Sequence, residues 1–314
     1  MNVEQPSNTD DSADHNLVVI QRNPTSGSGR GAKQLLILIH ALRRLGYRVR
    51  LFGSRERLDQ FAADSAVQKQ LRCLVAAGGD GTVTGLAGRF PQFPIATLPL
   101  GTENLMAGYL QIPCSGESVA RMIHKMTTTC FDTAFAGDQR FLLMTSVGVD
   151  AEVVRRLHFV RTGNIRRLSY VKPILQSFFG YAFPRLSVYS PDDELLGEGT
   201  HVIVTNVPAY GFRMSFSPQA DPQDGLLDVR IFRQTGRITT LIHAVRTRLG
   251  LADKGLDVQR FTASEVEIRS AEQETPAQLD GDPAACCPLR ISVAPASMTM
   301  VVPENHQQSS ATAG

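Results

Sequence analysis

Leu71-Arg72-Cys73-Leu74-Val75-Ala76-Ala77-Gly78-Gly79-Asp80-Gly81-Thr82 is the stretch that decides the fold. A mostly apolar run ends in closely spaced glycines, which reads as a buried strand turning tightly into a helix. Glycines let the backbone approach a ligand, and N–H groups at a helix start attract anions. A carboxylate in such a loop repels phosphate, so Asp80 makes sense there if it acts through a bound Mg²⁺. The plainer alternative is a strand-to-helix turn in which Asp80 caps its own helix.

The same pattern recurs on either side. Leu17 to Gln21 reads as a strand entering Asn23-Pro24-Thr25-Ser26-Gly27-Ser28-Gly29, with a helix from about Ala32 to Leu45. Val49 to Phe52 reads as a second strand, and Ile95 to Leu100 as one that enters Gly101-Thr102-Glu103-Asn104. Strands alternating with helices imply parallel βαβ units, whose ligands sit at the carboxyl ends of the strands. Residues 16–135 are therefore expected to form a Rossmann-like α/β domain that binds a nucleotide. Asn23 and Gly27 mark a second candidate phosphate loop. It lacks the Gly-Lys-Ser/Thr ending of a Walker A loop, which excludes an ordinary P-loop protein. Thr102 and Asn104, beside Gly101, offer neutral polar groups to a phosphate or a base, and helix capping is the alternative for Thr102.

From about Phe131 the texture changes. Arg185 to Tyr189, His201 to Thr205, Leu227 to Phe232, Val266 to Arg269 and Leu289 to Val293 read as strands separated by turns. Helical patterns are fewer, at Ile165 to Phe179 and Thr239 to Leu249. Residues 136–303 are thus expected to form an antiparallel β-sandwich domain, with disordered tails at 1–15 and 304–314. Two acidic turns stand out here. Asp221-Pro222-Gln223-Asp224-Gly225-Leu226-Leu227-Asp228 gathers carboxylates as a hard cation requires, although Asp-Gly is also an ordinary hairpin turn. Leu279-Asp280-Gly281-Asp282-Pro283 sets two carboxylates around a glycine, as a turn or as the general base for a hydroxyl.

Composition sets limits. The chain has 314 residues and a net charge of +2, which gives no support for a nucleic-acid partner. Five cysteines without C-x-x-C spacing argue against a disulfide framework and a structural zinc site, and fit a reducing cytoplasm. The acidic, polar start is not a signal peptide, and no apolar run approaches the ~20 residues needed to cross a bilayer. Any membrane contact is then peripheral. Between Val153 and Ser190 the chain carries Arg155, Arg156, Arg161, Arg166, Arg167, Lys172 and Arg185, no acidic residue, and interleaved aromatics. Such a stretch suits an anionic leaflet, or else the solvated face of a basic helix.

The ordered motifs R-N-P-x-S-G, G-G-D-G-T, P-L-G-T-x-N, G-V-D-A, D-G-L-L-D-V and L-D-G-D-P, from about Val18 to Pro303, resemble the diacylglycerol-kinase catalytic family. That family includes bacterial lipid kinases and the sphingosine and ceramide kinases. The resemblance implies an ATP-dependent lipid kinase with its nucleotide in a cleft between the two domains. It places ATP phosphates at Gly79, Asp80, Gly81, Thr82 and Thr102, and a structural Mg²⁺ at Asp221 and Asp224 with the Leu226 carbonyl. Asp280 becomes the proton acceptor, with Asp282 where many members carry Glu. The implied partner is a lipid at a membrane surface, met by a cytoplasmic enzyme; a homodimer stays open. Two departures stand against the pattern: Thr84 and Gly85 replace Asn and Glu, and Leu105 replaces Asp. An NAD kinase, which shares G-G-D-G-T, and a non-catalytic nucleotide- or lipid-binding regulator are the alternatives.

Overall fold

A computed structural model describes residues 15–24, 29–160, 181–208, 217–233, 236, 239, 242, 245–246, 257–272 and 274–305. Gly27, most of the two tails, the Ile165–Phe179 pattern, most of the Thr239–Leu249 pattern, and Arg161, Arg166, Arg167 and Lys172 lie outside these residues.

The first half is β1 (Leu17–Arg22), α1 (Gly29–Arg44), β2 (Arg48–Phe52), α2 (Arg55–Ala62), α3 (Ser65–Gln70), β3 (Leu71–Gly78), α4 (Asp80–Arg89), β4 (Ile95–Pro99), α5 (Leu105–Tyr109) and α6 (Gly116–Lys125). The strands lie in the order β2-β1-β3-β4, and every neighbouring pair is parallel. β3 is apolar at nearly every position because helices cover both faces of a parallel sheet. On α1, Leu35, Leu38 and Leu42 recur at helical spacing and are buried, whereas Leu36 is exposed. Truncating a fully buried leucine such as Leu38 to alanine would cost about 2–5 kcal/mol.

The second half is β5 (Thr128–Ala136), β6 (Gln139–Phe141), β7 (Met144–Val147), α7 (Val149–Val160), β8 (Leu186–Tyr189), β9 (Leu195–Gly199), β10 (His201–Thr205), β11 (Leu227–Phe232), β12 (Val258–Ala263), β13 (Glu265–Ser270), β14 (Pro276–Leu279), β15 (Asp282–Cys286) and β16 (Leu289–Val301). One antiparallel sheet runs β12-β11-β10-β7-β14-β15. Its inner residues Val147, Val202, Val204, Val229 and Ile231 share a core with Leu186, Val188, Val266, Ile268 and Ile291 of the facing sheet. Alternation along each strand gives this sandwich, apolar side inward.

The expected α/β-plus-sandwich layout is present, with one feature the sequence did not show. The parallel sheet does not end at β4. It continues through β16 into β13, β8 and β9, with β5 and β6 also attached, so that among the described residues ten strands run through both halves. β16 makes the join: its register with β5 shifts between Ala294 and Met298, and Met300 then pairs parallel with Ile95 of β4. Before that irregularity Leu289 and Ile291 fill the sandwich core; after it Met298, Met300 and Val301 fill the α/β core.

Candidate functional site

The ends of β1, β3 and β4 converge at one point. The Asn23 N–H donates to the Ala77 carbonyl at 3.2 Å, and the N–H groups of Leu100 and Gly101 donate to the Gly78 carbonyl at 2.9 and 3.2 Å. Packing is closest between glycines. A Cβ on Gly101 would lie 2.5 Å from the Gly79 Cα and 2.7 Å from the Asn104 Oδ1, and one on Gly78 would lie 2.2 Å from the Thr82 Oγ1. These positions admit no side chain, so a ligand at the loops meets main-chain groups and the start of α4. Thr82 is buried, and Thr102 is exposed on the rim. Asn104 has a left-handed backbone, φ 51°; its Oδ1 accepts from the Gly101 N–H at 2.8 Å and its Nδ2 donates to the Gly101 carbonyl at 2.9 Å. Asn104 therefore braces the Gly101 loop.

Asp80 caps a helix, but not its own. Its Oδ2 and Oδ1 accept the N–H groups of Leu105 and Met106 at 2.9 and 3.0 Å, which fastens the start of α5 to the start of α4. Burial raises the Asp80 carboxyl above its ordinary value, and the Met106 and Leu105 N–H bonds work the other way.

The second domain reaches the same place with Asp280 and Asp282. The Asp280 carboxylate accepts the N–H groups of Leu142 (2.8 Å), Leu143 (2.8 Å) and Met144 (3.0 Å). The Thr84 hydroxyl of α4 lies 3.2 Å from its Oδ2 and also 3.2 Å from the Asp80 carbonyl, so its one proton serves either acceptor. Thr84, one of the two departures, is thus a point of contact between the halves. The other part of that departure, Gly85, faces open space. Burial pushes the Asp280 carboxyl up to about 6, against the three N–H bonds, with the nearby charge of Asp80 adding to the rise. Asp282 is exposed, and its Oδ2 lies 4.0 Å from where a Cβ on Gly81 would sit.

The turn 221–226 is built separately. Asp221 Oδ1 accepts the Gln223 N–H at 3.1 Å, and Asp224 Oδ1 accepts the Leu226 N–H at 2.9 Å. Asp132, buried inside β5, ties the turn down: its carboxylate accepts the N–H groups of Gly225 and Ala296, each at 2.7 Å, and its N–H donates to the Pro222 carbonyl at 2.7 Å. The sequence reading did not single out Asp132, whose signal was a carboxylate within an otherwise strand-like run. Among the described residues no cluster of three or more His, Cys, Asp or Glu could hold a metal. Two exposed carboxylates on one turn, each with a single oxygen engaged by that turn, do match a hard cation that keeps several waters. Asp221, Asp224 and the Leu226 carbonyl therefore fit Mg²⁺.

Of the basic stretch, Arg155 and Arg156 both pair with the buried Glu152, at 2.8 and 2.5 Å, and Arg185 pairs with Glu198. Among the described residues no helix is long and apolar enough to cross a membrane.

Glycine loops at the ends of parallel strands, faced by a carboxylate turn from a β-sandwich, define a two-domain protein with its candidate site where the domains meet. Comparison with known proteins agrees on both halves. Residues 16–136 match the diacylglycerol kinase catalytic domain, and residues 144–302 match the YegS C-terminal NAD kinase beta sandwich-like domain. The chain belongs to this diacylglycerol-kinase and YegS-type lipid kinase family, a family of transferases. It is 25% identical over 301 residues to a Pectobacterium atrosepticum protein named "Probable lipid kinase YegS-like", covering 90% of this chain and 98% of that one. It is 26% identical over 297 residues to a Mycobacterium tuberculosis "Diacylglycerol kinase", covering 90% and 94%. The crystal structure of a diacylglycerol kinase from Bacillus anthracis has the same fold, with a TM-score of 0.69 at 21% identity, covering 92% and 98%.

Proposed function

We propose that the chain transfers the γ-phosphate of ATP to a hydroxyl of a lipid such as diacylglycerol, with Mg²⁺, at the membrane surface. The observation that carries this reading is the Thr84–Asp280 contact at 3.2 Å, which sets the carboxylate turn of the second domain over the glycine loops of the first. Phosphoryl transfer needs positioning and charge neutralisation more than covalent chemistry. The loops at Asn23, Gly79 and Gly101 hold the triphosphate through backbone groups and the start of α4. Asp80 and Asn104 keep those loops in place. Asp221, Asp224 and the Leu226 carbonyl would hold a structural Mg²⁺ that steadies their turn, and Mg²⁺ carried with the nucleotide would offset the charge of the phosphates. A carboxylate on the 280–282 turn receives the proton of the acceptor hydroxyl. Basic residues between Val153 and Arg185 draw the enzyme to anionic lipid, where the substrate stays.

Purified protein with labelled ATP, Mg²⁺ and a panel of lipid alcohols should label at least one lipid. NAD labelled in place of every lipid would turn the reading into an NAD kinase. Binding of ATP without transfer to any acceptor would make the chain a regulator.

A further inference from the structure

We propose that Arg230 and Arg260 form a second phosphate-binding site, on the face of β11 and β12 that points away from the sandwich core. The proposal stands apart from the lipid-kinase reading, since it requires neither turnover nor a lipid acceptor.

Alternation along the strands places the two side chains. Val229 and Ile231 fill the sandwich core, and Phe261 and Ala263 pack against it. Arg230 on β11, and Arg260 and Thr262 on β12, therefore point to the opposite face. In the antiparallel register Arg230 stands directly across from Arg260, and Asp228 across from Thr262. Side chains so paired have Cβ atoms about 4.5–5.5 Å apart, and like charges in that arrangement repel. An anion held between the two guanidiniums turns the repulsion into two attractions.

The space for such an anion is present. A cavity of about 440 Å³, within the range of small-ligand sites, is lined by Gln219, Asp228, Arg230, Arg260 and Thr262. Arg230 is its deep member, only 6% exposed, whereas Arg260 is exposed at the rim. The Arg230 Nε donates to the Ser217 Oγ at 2.9 Å, and Ser217 is itself fully buried, so the plane of the guanidinium is set from behind. A cation held this far out of water attracts an incoming anion more strongly than a surface arginine does.

The donors suit phosphate. A carboxylate occupies one guanidinium fork, whereas a phosphate has oxygens for two. The Thr262 hydroxyl and the Gln219 amide, both on exposed residues, are neutral donors for its remaining oxygens. Asp228 lines the same cavity, so the described lining residues bring two cations and one acid. The ligand chemistry is that of inorganic phosphate or a phosphate monoester, and the headgroup of phosphatidic acid is its membrane-borne form.

The sheet itself separates this site from the 280–282 turn. Arg230 pairs with Ile203, Ile203 with Ser146, and Ser146 with Gln278. From β11 to β14 is three strand spacings, roughly 14 Å. A phosphate here is a ligand additional to the nucleotide proposed at the glycine loops.

The test uses the full chain with ADP and Mg²⁺ present, so that nucleotide occupies those loops. Inorganic phosphate, compared with potassium chloride of equal ionic strength, should raise Tm along a saturating curve. Arg260→Gln, at the exposed rim, should fold as the wild type does and weaken the phosphate Kd by about tenfold or more. Arg230→Lys, which keeps the charge and loses the fork, should weaken it as well. A second arm identifies the source of the phosphate. Binding to phosphatidylcholine vesicles that carry phosphatidic acid is compared with binding to vesicles that carry oleate at equal surface charge. A preference for phosphatidic acid that Arg260→Gln loses assigns the site to a lipid headgroup. A Tm rise with inorganic phosphate, lost in Arg260→Gln and without that preference, assigns it to free phosphate. The site is overturned if the wild type shows neither the rise nor the preference, or if Arg260→Gln retains whichever the wild type shows.

Discussion

Replacing Gly101 with alanine asks whether the two glycine loops must touch for the enzyme to work. The added Cβ would sit 2.5 Å from the Gly79 Cα, 2.7 Å from the Asn104 Oδ1 and 3.1 Å from the Gly79 N. Carbon atoms reach their best separation at about 3.5–4.0 Å, so one loop must retreat from the other by roughly 1 Å. Two of the three neighbours are backbone, so no side-chain rotation relieves the clash. The retreat also pulls on the Gly101 N–H, which bonds both Asn104 and Gly78. Overpacking of this kind costs about 1–3 kcal/mol of stability, and a 1 Å misplacement in an active site costs about 10²-fold in rate. ATP affinity measured by titration should fall together with kcat, with a modest drop in Tm. The control is Gly88→Ala on α4, where a Cβ meets nothing within 4 Å and helix propensity favours alanine by roughly 0.5–1 kcal/mol. If Gly101→Ala binds and turns over ATP as Gly88→Ala does, the contact between the loops has no part in nucleotide binding.

Asp224→Ala removes one of two carboxylates from the proposed cation turn. Mg²⁺ should raise the Tm of the wild type, since a bound ion stabilises the state that binds it, and the variant should lose that rise; an unchanged Mg²⁺ response would place the ion elsewhere. For Asp280, raised to about 6, the folded protein holds a proton at pH values where the unfolded chain has released it. This group's contribution to stability is therefore full near pH 4 and declines as pH rises through about 6. In urea unfolding, the gap between wild type and Asp280→Asn should narrow from pH 5 to pH 7, and a gap that widens would reverse the sign. Replacing Arg161, Arg166 and Arg167 by Gln should reduce sedimentation with anionic vesicles. Three charges at ~1 kcal/mol each are worth more than a hundredfold in partitioning at low salt. Equal sedimentation would remove this stretch from the membrane face.

Much of the fold could be read from local pattern. The strands at His201–Thr205 and Leu227–Phe232 fall where alternation and bounding turns placed them, and β1, β3 and β4 end at the glycine loops as expected. What stayed hidden depends on contacts between distant residues. Asp80 was weighed as a metal-linked group and as the cap of its own helix. It caps α5, 25 positions on, because the return of the chain brings that helix start beside it. The three N–H donors on Asp280 come from residues 136 to 138 positions away, so a free carboxylate and an engaged one look alike in the sequence. The span from Val153 to Ser190 has no acid of its own, yet Glu152, one residue before it, takes two of its arginines through helical spacing. Thr84 is a loss against the family pattern, and its hydroxyl stands within reach of acceptors in both domains.

The path of β16 bears on how the chain is made. Ribosomes deliver the amino terminus first, and domains generally fold as units in that order. Here the first domain is not closed when its own residues have emerged. The flank of β4 and the pocket that Met298, Met300 and Val301 fill stay open until β16 arrives. Those residues lie about 200 positions after Ile95, so the contact is among the slowest for a diffusing chain to find. A nascent chain stalled anywhere before Met298 displays a strand edge and an unfilled apolar groove, the two features that chaperones and proteases recognise. Quality control of this enzyme therefore waits on β16, and a frameshift shortly before Met298 unmakes the α/β domain encoded upstream of it.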